Sequence, residues 1–208
     1  MAILQFRLGP MDNNTYLIVD ETTASAAIVD PSFDSETLLS QIHANRWNLR
    51  YILNTHAHFD HIVGNAFYAT HTDAPIALHP ADLHLYHALP DQARLFGFEI
   101  PPAPEPQILL TDQQTLQLGH TPIRVMHTPG HSPGGVTFLV ENQALVGDCL
   151  FAGSIGRTDL PGGAWHTLLH TIHTRLLALP DDTTVLPGHG PATTIGTERR
   201  HNPYLQEL

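Results

Sequence analysis

Residues 55–61 read THAHFDH, so three histidines and an aspartate stand within a few positions of one another, shortly after the apolar run 51–53. Imidazole nitrogens and carboxylate oxygens are common ligands of divalent metals. His56 and His58 would point about 200° apart on a helix, but in a strand or turn they share one face and can converge on one ion. Asp60 lies about 13 Å from His56 along an extended chain, which favours a second ion as its partner. The stretch therefore predicts a metal centre.

Three more donors stand just beyond predicted strands: His131 in HTPGHS, Asp148 in GDC and His189 in PGHG. Loops at the ends of strands are where a rigid sheet presents functional groups. Taken alone, each of these residues is better explained as a loop residue that hydrogen-bonds to backbone. Together with the first stretch they give seven candidate ligands, the right number for two ions: His56, His58, Asp60, His61, His131, Asp148 and His189.

The elements that must position these residues are mostly short strands with interleaved helices. Nine runs are typical of strands: 3–8, 16–19, 26–29, 51–53, 76–78, 123–126, 136–140, 144–146 and 184–186. Four segments are typical of helices: 34–45, 62–70, 80–87 and 164–179. We interpret the proline-rich stretch PPAPEP at 101–106 as a surface loop, and not as a linker between domains. Residues 1–208 are thus expected to form a single domain.

Composition limits the function classes. The chain has 208 residues, of which 42% are hydrophobic and 14% charged, enough to bury one substantial core. Its nine basic residues are all Arg and its formal charge is −11. We therefore do not expect a nucleic-acid partner, because binding nucleic acid needs basic patches. No apolar run approaches the roughly 18 residues that cross a bilayer, and no secretion leader is recognisable. We expect a cytoplasmic protein without a membrane partner.

Several other residues that can bind metals receive a structural interpretation. His166, His170 and His173 are spaced i, i+4, i+7 on a predicted helix and are expected to form its solvated face. A lone Cys149 cannot form an internal disulfide and would point away from Asp148 on a strand, so we expect a small buried side chain.

The motifs THAHFDH, TPGHS, GDCLF and PGHGP, in this order, resemble the metallo-β-lactamase superfamily and its glyoxalase II (hydroxyacylglutathione hydrolase) branch. GPMDNNTYLIVD is similar to the first hairpin of that family, and GSIGRTDLPGG and ERRHNPYLQEL resemble a short bacterial subgroup. The resemblance implies an α/β fold, a four-layer αββα sandwich with metals at one edge of two facing sheets.

The same resemblance implies how the seven candidates divide between two divalent metal ions. His56, His58 and His131 would hold one ion, Asp60, His61 and His189 would hold the other, and Asp148 would bridge both. Nitrogen and carboxylate ligands suit Zn, Fe and Mn, and we take zinc as the first expectation. Two such ions lower the pKa of a shared water towards about 7, and Asp60 would also act in catalysis by orienting that hydroxide.

Arg157, in GSIGRTD, lies where the family contacts substrate from the loop after the bridging aspartate. An equally good interpretation makes it a structural residue that ties this loop to a neighbouring carboxylate such as Asp159. Both interpretations remain open at this point.

The chemistry expected from such a centre is hydrolysis of a small-molecule thioester such as S-lactoylglutathione, because a thiol with a pKa of about 8.5 departs without a strong acid. Only 19 residues follow His189, where full-length glyoxalase II has a helical domain that supplies basic residues to glutathione, so specificity for glutathione is left open.

A persulfide dioxygenase with a single iron is the main alternative, and His189 as a second-site ligand favours the hydrolase. A nuclease and a non-catalytic metal-binding module are further alternatives, and the oligomeric state is not readable.

Overall fold

The computed structural model describes residues 1–206, in which two six-stranded sheets face each other. The strands of the first sheet lie side by side in chain order: β1 (Ala2–Leu8), β2 (Asn13–Asp20), β3 (Ser25–Val29), β4 (Asn48–Leu53), β5 (Ile76–Leu78) and β6 (Ile108–Leu109). Pairing is antiparallel from β1 to β3 and parallel from β3 to β6. The PPAPEP segment leads directly into β6, which extends the same sheet, so its interpretation as a surface loop is confirmed.

The second sheet is built from the rest of the chain. It contains β7 (Thr115–Leu118), β8 (Thr121–His127), β9 (Val136–Val140) and β10 (Gln143–Gly147), and after the ribbon of β11 (Leu150–Phe151) and β12 (Ser154–Ile155) it gains β13 (Thr184–Pro187) and β14 (Thr193–Thr194). Their spatial order is β14-β13-β10-β9-β8-β7, and the β10–β13 pair is parallel. All nine predicted strands are therefore confirmed, whereas β6, β7, β11, β12 and β14 are additions.

Helices cover the outer faces of both sheets. The first sheet is covered by α1 (Thr37–Ala44), α2 (Phe59–Ile62), α3 (Asn65–His71), α4 (Leu83–His87) and α5 (Leu89–Leu95), and the second by α6 (Trp165–Thr171) and α7 (Ile195–His201). None of the helices in residues 1–206 has the length and apolar character needed to cross a bilayer.

Strand β2 shows how the layers are held together. Tyr16 and Ile18 pack into the core between the two sheets, whereas Leu17 and Val19 pack against the helices on the outer face. This alternation is the period-two pattern of a strand that is covered on both faces. A third apolar cluster joins the second sheet to α6 and α7. Three cores between four layers confirm the expected αββα sandwich.

The predicted helix boundaries were wrong in several places. The predicted helix 34–45 begins only at Thr37, because Asp34 has a left-handed backbone with a φ of 63°. The predicted helix 62–70 is two short helices, α2 and α3, separated at Gly64, where a Cβ would lie 2.7 Å from both the Pro31 carbonyl and Ser35 Oγ.

The other two predicted helices are also divided. The segment predicted as 80–87 begins with a 3-10 turn, Pro80–Asp82, before α4, and 164–179 consists of α6 followed by a π-helical turn, Ile172–Leu176. Helices α5 and α7 were not predicted. Pro90 lies in the first turn of α5, where backbone amides have no acceptor within the helix. A proline there therefore costs the helix no hydrogen bond.

Parallel pairing directs the carboxyl ends of β3, β4 and β5 to one edge of the first sheet, and those of β10 and β13 to the matching edge of the second. Chain segments that leave these strands meet at this edge. The backbone amide of Asn14, at the start of β2, joins the two sheets there by donating to the carbonyl of Gly188 at 2.7 Å.

Candidate metal centre

The seven candidate ligands meet at the common edge of the two sheets. Two groups of three candidates have their ligand atoms within 4.8 Å of one another: His56, His58 and His131 in the first group, and Asp60, His61 and His189 in the second. These are the two sets that the resemblance implies. A residue outside the seven, Asp30, forms a further such group with His56 and His61. All of these side chains except that of His189, which is half-buried, are shielded from solvent.

Two of the histidines are held by one ring nitrogen so that the other faces the centre. His61 Nδ1 lies 3.0 Å from Asp30 Oδ2, and His131 Nδ1 donates to the carbonyl oxygen of Arg157 at 2.7 Å. An imidazole whose Nδ1–H is bonded to oxygen presents an unprotonated Nε2, the form that binds metal. In each of these rings Nε2 is the atom nearest the carboxylate of Asp148.

The same arrangement orients two more rings. His189 Nδ1 donates to the carbonyl oxygen of Met11 at 3.1 Å, and His56 Nδ1 lies 3.0 Å from Thr55 Oγ1. The Nε2 atom of His56 is buried and has no hydrogen-bond partner among the described residues. A buried nitrogen without a partner is costly unless something else satisfies it, and a metal ion at the centre would do so.

His58 is oriented differently from the other four histidines of the centre. Its Nδ1 atom lies 2.8 Å from His131 Nε2, so the Nδ1 atom faces the centre. Burial, together with the nearby His131, lowers the pKa of His58 to about 3. Burial and the neighbouring His61 and His131 likewise lower the pKa of His56. These rings are therefore neutral at physiological pH, as a metal ligand must be.

Asp148 lies between the two groups. Its Oδ1 atom is 3.5 Å from His61 Nε2, and its Oδ2 atom is 3.6 Å from His131 Nε2 and 3.7 Å from His189 Nε2. Burial alone would raise the pKa of this carboxyl, but His61, His131 and His189 together outweigh burial and the pKa is lowered to about 2. One ionised carboxylate therefore reaches both groups of histidines.

Asp60 belongs to the second group by distance. Its Oδ2 atom is 3.3 Å from His189 Nε2 and 3.5 Å from His61 Nε2, and it accepts a hydrogen bond from Asn13 Nδ2 at 2.9 Å. Burial would raise its pKa, but these neighbours hold the pKa below the usual range of a carboxyl group. The same two carboxylates, Asp60 and Asp148, raise the pKa of His61 despite its burial. Sequence reasoning did not identify Asn13.

The donor set fits divalent metal ions. Five histidines and two carboxylates converge from loops that follow different strands, and both His56 Nε2 and Asp148 Oδ1 are buried without a hydrogen-bond partner in the described part of the chain. A cluster of this kind would be destabilising if left unsatisfied. Nitrogen and carboxylate oxygen are the ligands that Zn, Fe and Mn accept.

Two buried aspartates that sequence reasoning missed hold the loops of the centre. Asp30, directly after β3, accepts from the backbone amide and hydroxyl of Thr55. Asp82 accepts from Ala57 N at 3.0 Å, Ser132 Oγ at 2.7 Å and Gly134 N at 2.5 Å, which ties the THAHFDH loop to the HTPGHS loop. Asp30 follows a predicted strand as the candidate ligands do, and that signal could have identified it.

A cleft of about 420 Å³ opens over the centre. His58, Asp60, His131, Asp148 and His189 line it. The volume lies within the range of sites for small molecules. The centre is therefore reachable from solvent on one side.

Arg157 also lines the cleft. Its guanidinium forms a two-point ion pair with Asp159, with Nε–Oδ1 and Nη2–Oδ2 distances of 2.7 Å, while its carbonyl oxygen orients His131. The structural interpretation of this residue is thus confirmed, and a contact with substrate stays a prediction.

The three histidines on the predicted helix and the cysteine belong to neither group. His166 and His170 are exposed and His173 is half-buried, which agrees with a largely solvated helix face. Cys149 is buried in the core beneath α6, as expected, and burial raises the pKa of its thiol.

Comparison with known proteins places this arrangement among characterised families. A model of the metallo-beta-lactamase superfamily matches residues 8–189. The chain is 38% identical over 201 residues to the hydroxyacylglutathione hydrolase GloC of Haemophilus influenzae, covering 92% of each protein.

Two solved structures are similar over nearly their whole length. The B3 metallo-beta-lactamase BLEG-1 is 41% identical with a TM-score of 0.91, covering 99% of this chain and all of that one. The protein TTHA1623, in a di-iron-bound form, is 42% identical with a TM-score of 0.89, covering 97% of this chain and all of that one.

Proposed function

This chain belongs to the metallo-beta-lactamase superfamily of metal-dependent hydrolases, and we propose that it hydrolyses a thioester with the aid of two divalent metal ions. The observation that carries the proposal is the convergence of seven histidine and aspartate side chains at one centre, five of which line an open cleft. Similarity to a hydroxyacylglutathione hydrolase supports a thioester as the class of substrate. An acyl-glutathione such as S-lactoylglutathione is the first compound to test.

In this proposal the first ion would be held by His56, His58 and His131, and the second by Asp60, His61 and His189. Asp148 would serve both, because its two oxygens reach both groups. We propose zinc, for which imidazole and carboxylate are usual ligands. Iron is the alternative, since a structure with 42% identity was solved with two irons.

When bound, such ions would supply a water of lowered pKa and a Lewis acid for the thioester carbonyl. Asp60 is the carboxylate that the chain itself provides for the attacking water. It lines the cleft, and its low pKa keeps it ionised, so it can orient that water by accepting a hydrogen bond from it. Asn13 Nδ2 holds the carboxylate in this position from the side of β2.

The cleft also favours a thioester because, apart from the proposed ligands, its described lining residues offer no side chain suited to protonate a leaving group. Apart from the proposed ligands, Arg157 is the only titratable residue among the described residues that line it. An amide nitrogen departs only when it is protonated by an acid, whereas a thiolate with a pKa of about 8.5 departs unaided. The groups that line the cleft are thus sufficient for hydrolysis of a thioester.

The deciding experiment supplies S-lactoylglutathione under air and under argon and follows thiol release in both. A hydrolase consumes water and needs no dioxygen, so equal rates are expected in the two gases. A parallel sample receives glutathione persulfide in an oxygen electrode, where we expect no uptake. Oxygen consumption with the persulfide and no cleavage of the thioester would replace the hydrolase with a persulfide dioxygenase.

A further inference from the structure

The residues that line the cleft over the metal centre indicate which class of thioester it accepts. We propose that it binds an uncharged hydrocarbon group attached to the thioester, so that the preferred substrates are aliphatic or aromatic thioesters and not thioesters of a peptide thiol with two carboxylates. This inference rests on the proposed thioester hydrolysis and assigns a substrate class to the same site.

The walls of the cleft are apolar. Six of the side chains that form them are Met11, Phe59, Leu85, Leu95, Phe96 and Phe151. Segment 155–161 contributes Ile155, Leu160 and Pro161 on the side of Arg157. Burying hydrocarbon against such a surface is favourable by about 25 cal/mol per Å².

An aromatic stack fixes one wall. The rings of Phe59 and Phe96 are stacked with centroids 4.9 Å apart, and Phe33 packs edge-on against Phe59 at 6.2 Å. Phe59 itself follows His58 directly, so this wall begins next to a proposed ligand. The stack therefore places an apolar surface beside the reacting group.

Two residues of this wall are exposed although they are apolar. Leu95, at the end of α5, is 85% exposed and Phe96 is 45% exposed. Five large hydrophobic side chains in residues 1–206 are exposed, and only these two line the cleft. Their exposure has a cost that a hydrocarbon group in the cleft would remove.

The guanidinium and the amide side chain in the walls are already engaged. Arg157 is the only Lys or Arg among the described lining residues, and Asp159 occupies its guanidinium at two points. Gln92 Nε2 donates to the carbonyl oxygens of Ala57 and Leu85 at 3.0 and 2.6 Å. Apart from the proposed metal ions, a substrate carboxylate entering the cleft would find no cation among the described lining residues that is not already paired with a carboxylate.

Charge on the whole chain acts in the same direction. The protein contains no lysine and has a formal charge of −11, which disfavours the approach of polyanionic substrates. Moving a carboxylate against apolar walls without a partner is costly, whereas a methylene group gains about 0.8 kcal/mol, or nearly fourfold in binding. A hydrocarbon group is thus the occupant that these walls favour.

The hydrocarbon could belong to the acyl group or to the thiol, and the experiment has one arm for each. The first arm uses acetyl, butanoyl, hexanoyl and octanoyl thioesters of N-acetylcysteamine, and the second uses acetyl thioesters of ethanethiol, butanethiol and hexanethiol. We expect kcat/KM to rise about threefold to fourfold per methylene in one arm until the cleft is filled. S-Lactoylglutathione should fall below the best of these substrates.

Two variants localise the effect. Phe96→Gln should flatten the dependence on chain length, because it replaces a ring of the apolar wall with a polar group. Leu109→Gln is the matched control: Leu109 is also apolar and 50% exposed, but it lies on β6 and does not line the cleft. Its dependence on chain length should equal that of the unaltered protein.

Equilibrium binding of the corresponding thioethers, which cannot be hydrolysed, separates this inference from the proposed function. Binding that strengthens with chain length, without cleavage of any thioester, would refute the hydrolase and leave the apolar site standing. Cleavage of S-lactoylglutathione with no dependence on chain length in either arm would overturn the apolar site alone.

Discussion

Asp30 Oδ2 lies 3.0 Å from His61 Nδ1, and both side chains are shielded from water. The same oxygen accepts from Thr55 Oγ1 at 2.6 Å, while Asp30 Oδ1 accepts from the Thr55 amide at 2.7 Å. One carboxylate thus sets the orientation of a proposed ligand and the start of the loop that carries three others. Because Asp30 is fully engaged by these contacts, it acts on the proposed second ion through His61.

Replacing Asp30 with Asn keeps the shape of the side chain but removes the charge that fixes the His61 ring. Loss of such a partner of a metal ligand typically weakens metal binding by about 10- to 100-fold. We expect Asp30→Asn to weaken one of two ions by this amount, measured by competition with a chelator. Thr55→Val leaves the Asp30–His61 contact in place but removes the hydroxyl beside His56 Nδ1, so it should weaken the ion that His56 would hold and not the one that His61 would hold. Unchanged affinity for both ions in Asp30→Asn would refute this role.

Metal content tests the division into two sites. The purified protein should contain about two ions per chain, and His58→Ala and His189→Ala should each reduce the content to about one, because these residues belong to different groups. Elemental analysis measures this directly, with His170→Ala, an exposed residue outside both groups, as the control. A single iron at full occupancy in the unaltered protein would instead support the dioxygenase.

Asp148 should affect both ions at once. Its two oxygens lie within 3.5 to 3.7 Å of histidines from both groups, so its negative charge would offset the repulsion between two cations. We expect Asp148→Asn to weaken the binding of both ions together in the same chelator titration. Loss of one ion with the other unaffected would contradict a bridging role.

The candidate site could be predicted from the sequence because its chemistry is local. Each proposed ligand stands just past a short apolar run, and a strand delivers the next residues of the chain to one edge of a sheet. The residues that hold the ligands are different. Asp82 bonds to Ala57 and Ser132, which are 25 and 50 positions away, and only the packed sheets bring them together.

The apolar cleft was beyond prediction for the same reason. Phe96 follows α5, a helix that periodicity did not reveal, and its ring becomes part of the site only by stacking on Phe59. Strand prediction succeeded because β2 and its neighbours alternate between two cores, whereas short helices such as α2 and α3 lack enough turns for a clear pattern. Gly64 separates those two helices through contacts made with Pro31 and Ser35, distant in sequence.

Asp82 should be essential to the shape of the site without touching either group. It is fully buried and accepts three hydrogen bonds from the two loops, and each donor left unpaired costs about 1–3 kcal/mol. Asp82→Ala is therefore expected to lower the free energy of unfolding by several kcal/mol and to weaken metal binding. Ser132→Ala removes a single one of these bonds and should cost about 1 kcal/mol. Urea unfolding of the metal-free proteins measures the difference, and equal costs for the two variants would exclude Asp82 as the main tie between the loops.

Gly188 gives the sharpest test of the packing around the proposed ligands. A Cβ on this residue would collide with Asp148 Oδ1 and lie 2.7 Å from His61 Cε1, although the backbone of Gly188 is not in the left-handed region. Gly188→Ala is thus expected to displace the one carboxylate that reaches both groups, to lower the metal content, and to lower the proposed thioesterase activity by orders of magnitude.

Gly190 is the matched control in the same loop. A Cβ there meets no atom within 4 Å, but its φ of +76° makes alanine unfavourable by roughly 1–2 kcal/mol. Gly190→Ala should therefore lower stability while it keeps both ions, whereas Gly188→Ala should lose ions without a comparable backbone penalty. Elemental analysis and thermal unfolding of the two variants distinguish these outcomes. Full metal content in Gly188→Ala would show that Asp148 can move away without loss of the ions, and would remove the support that its position gives to a bridging carboxylate.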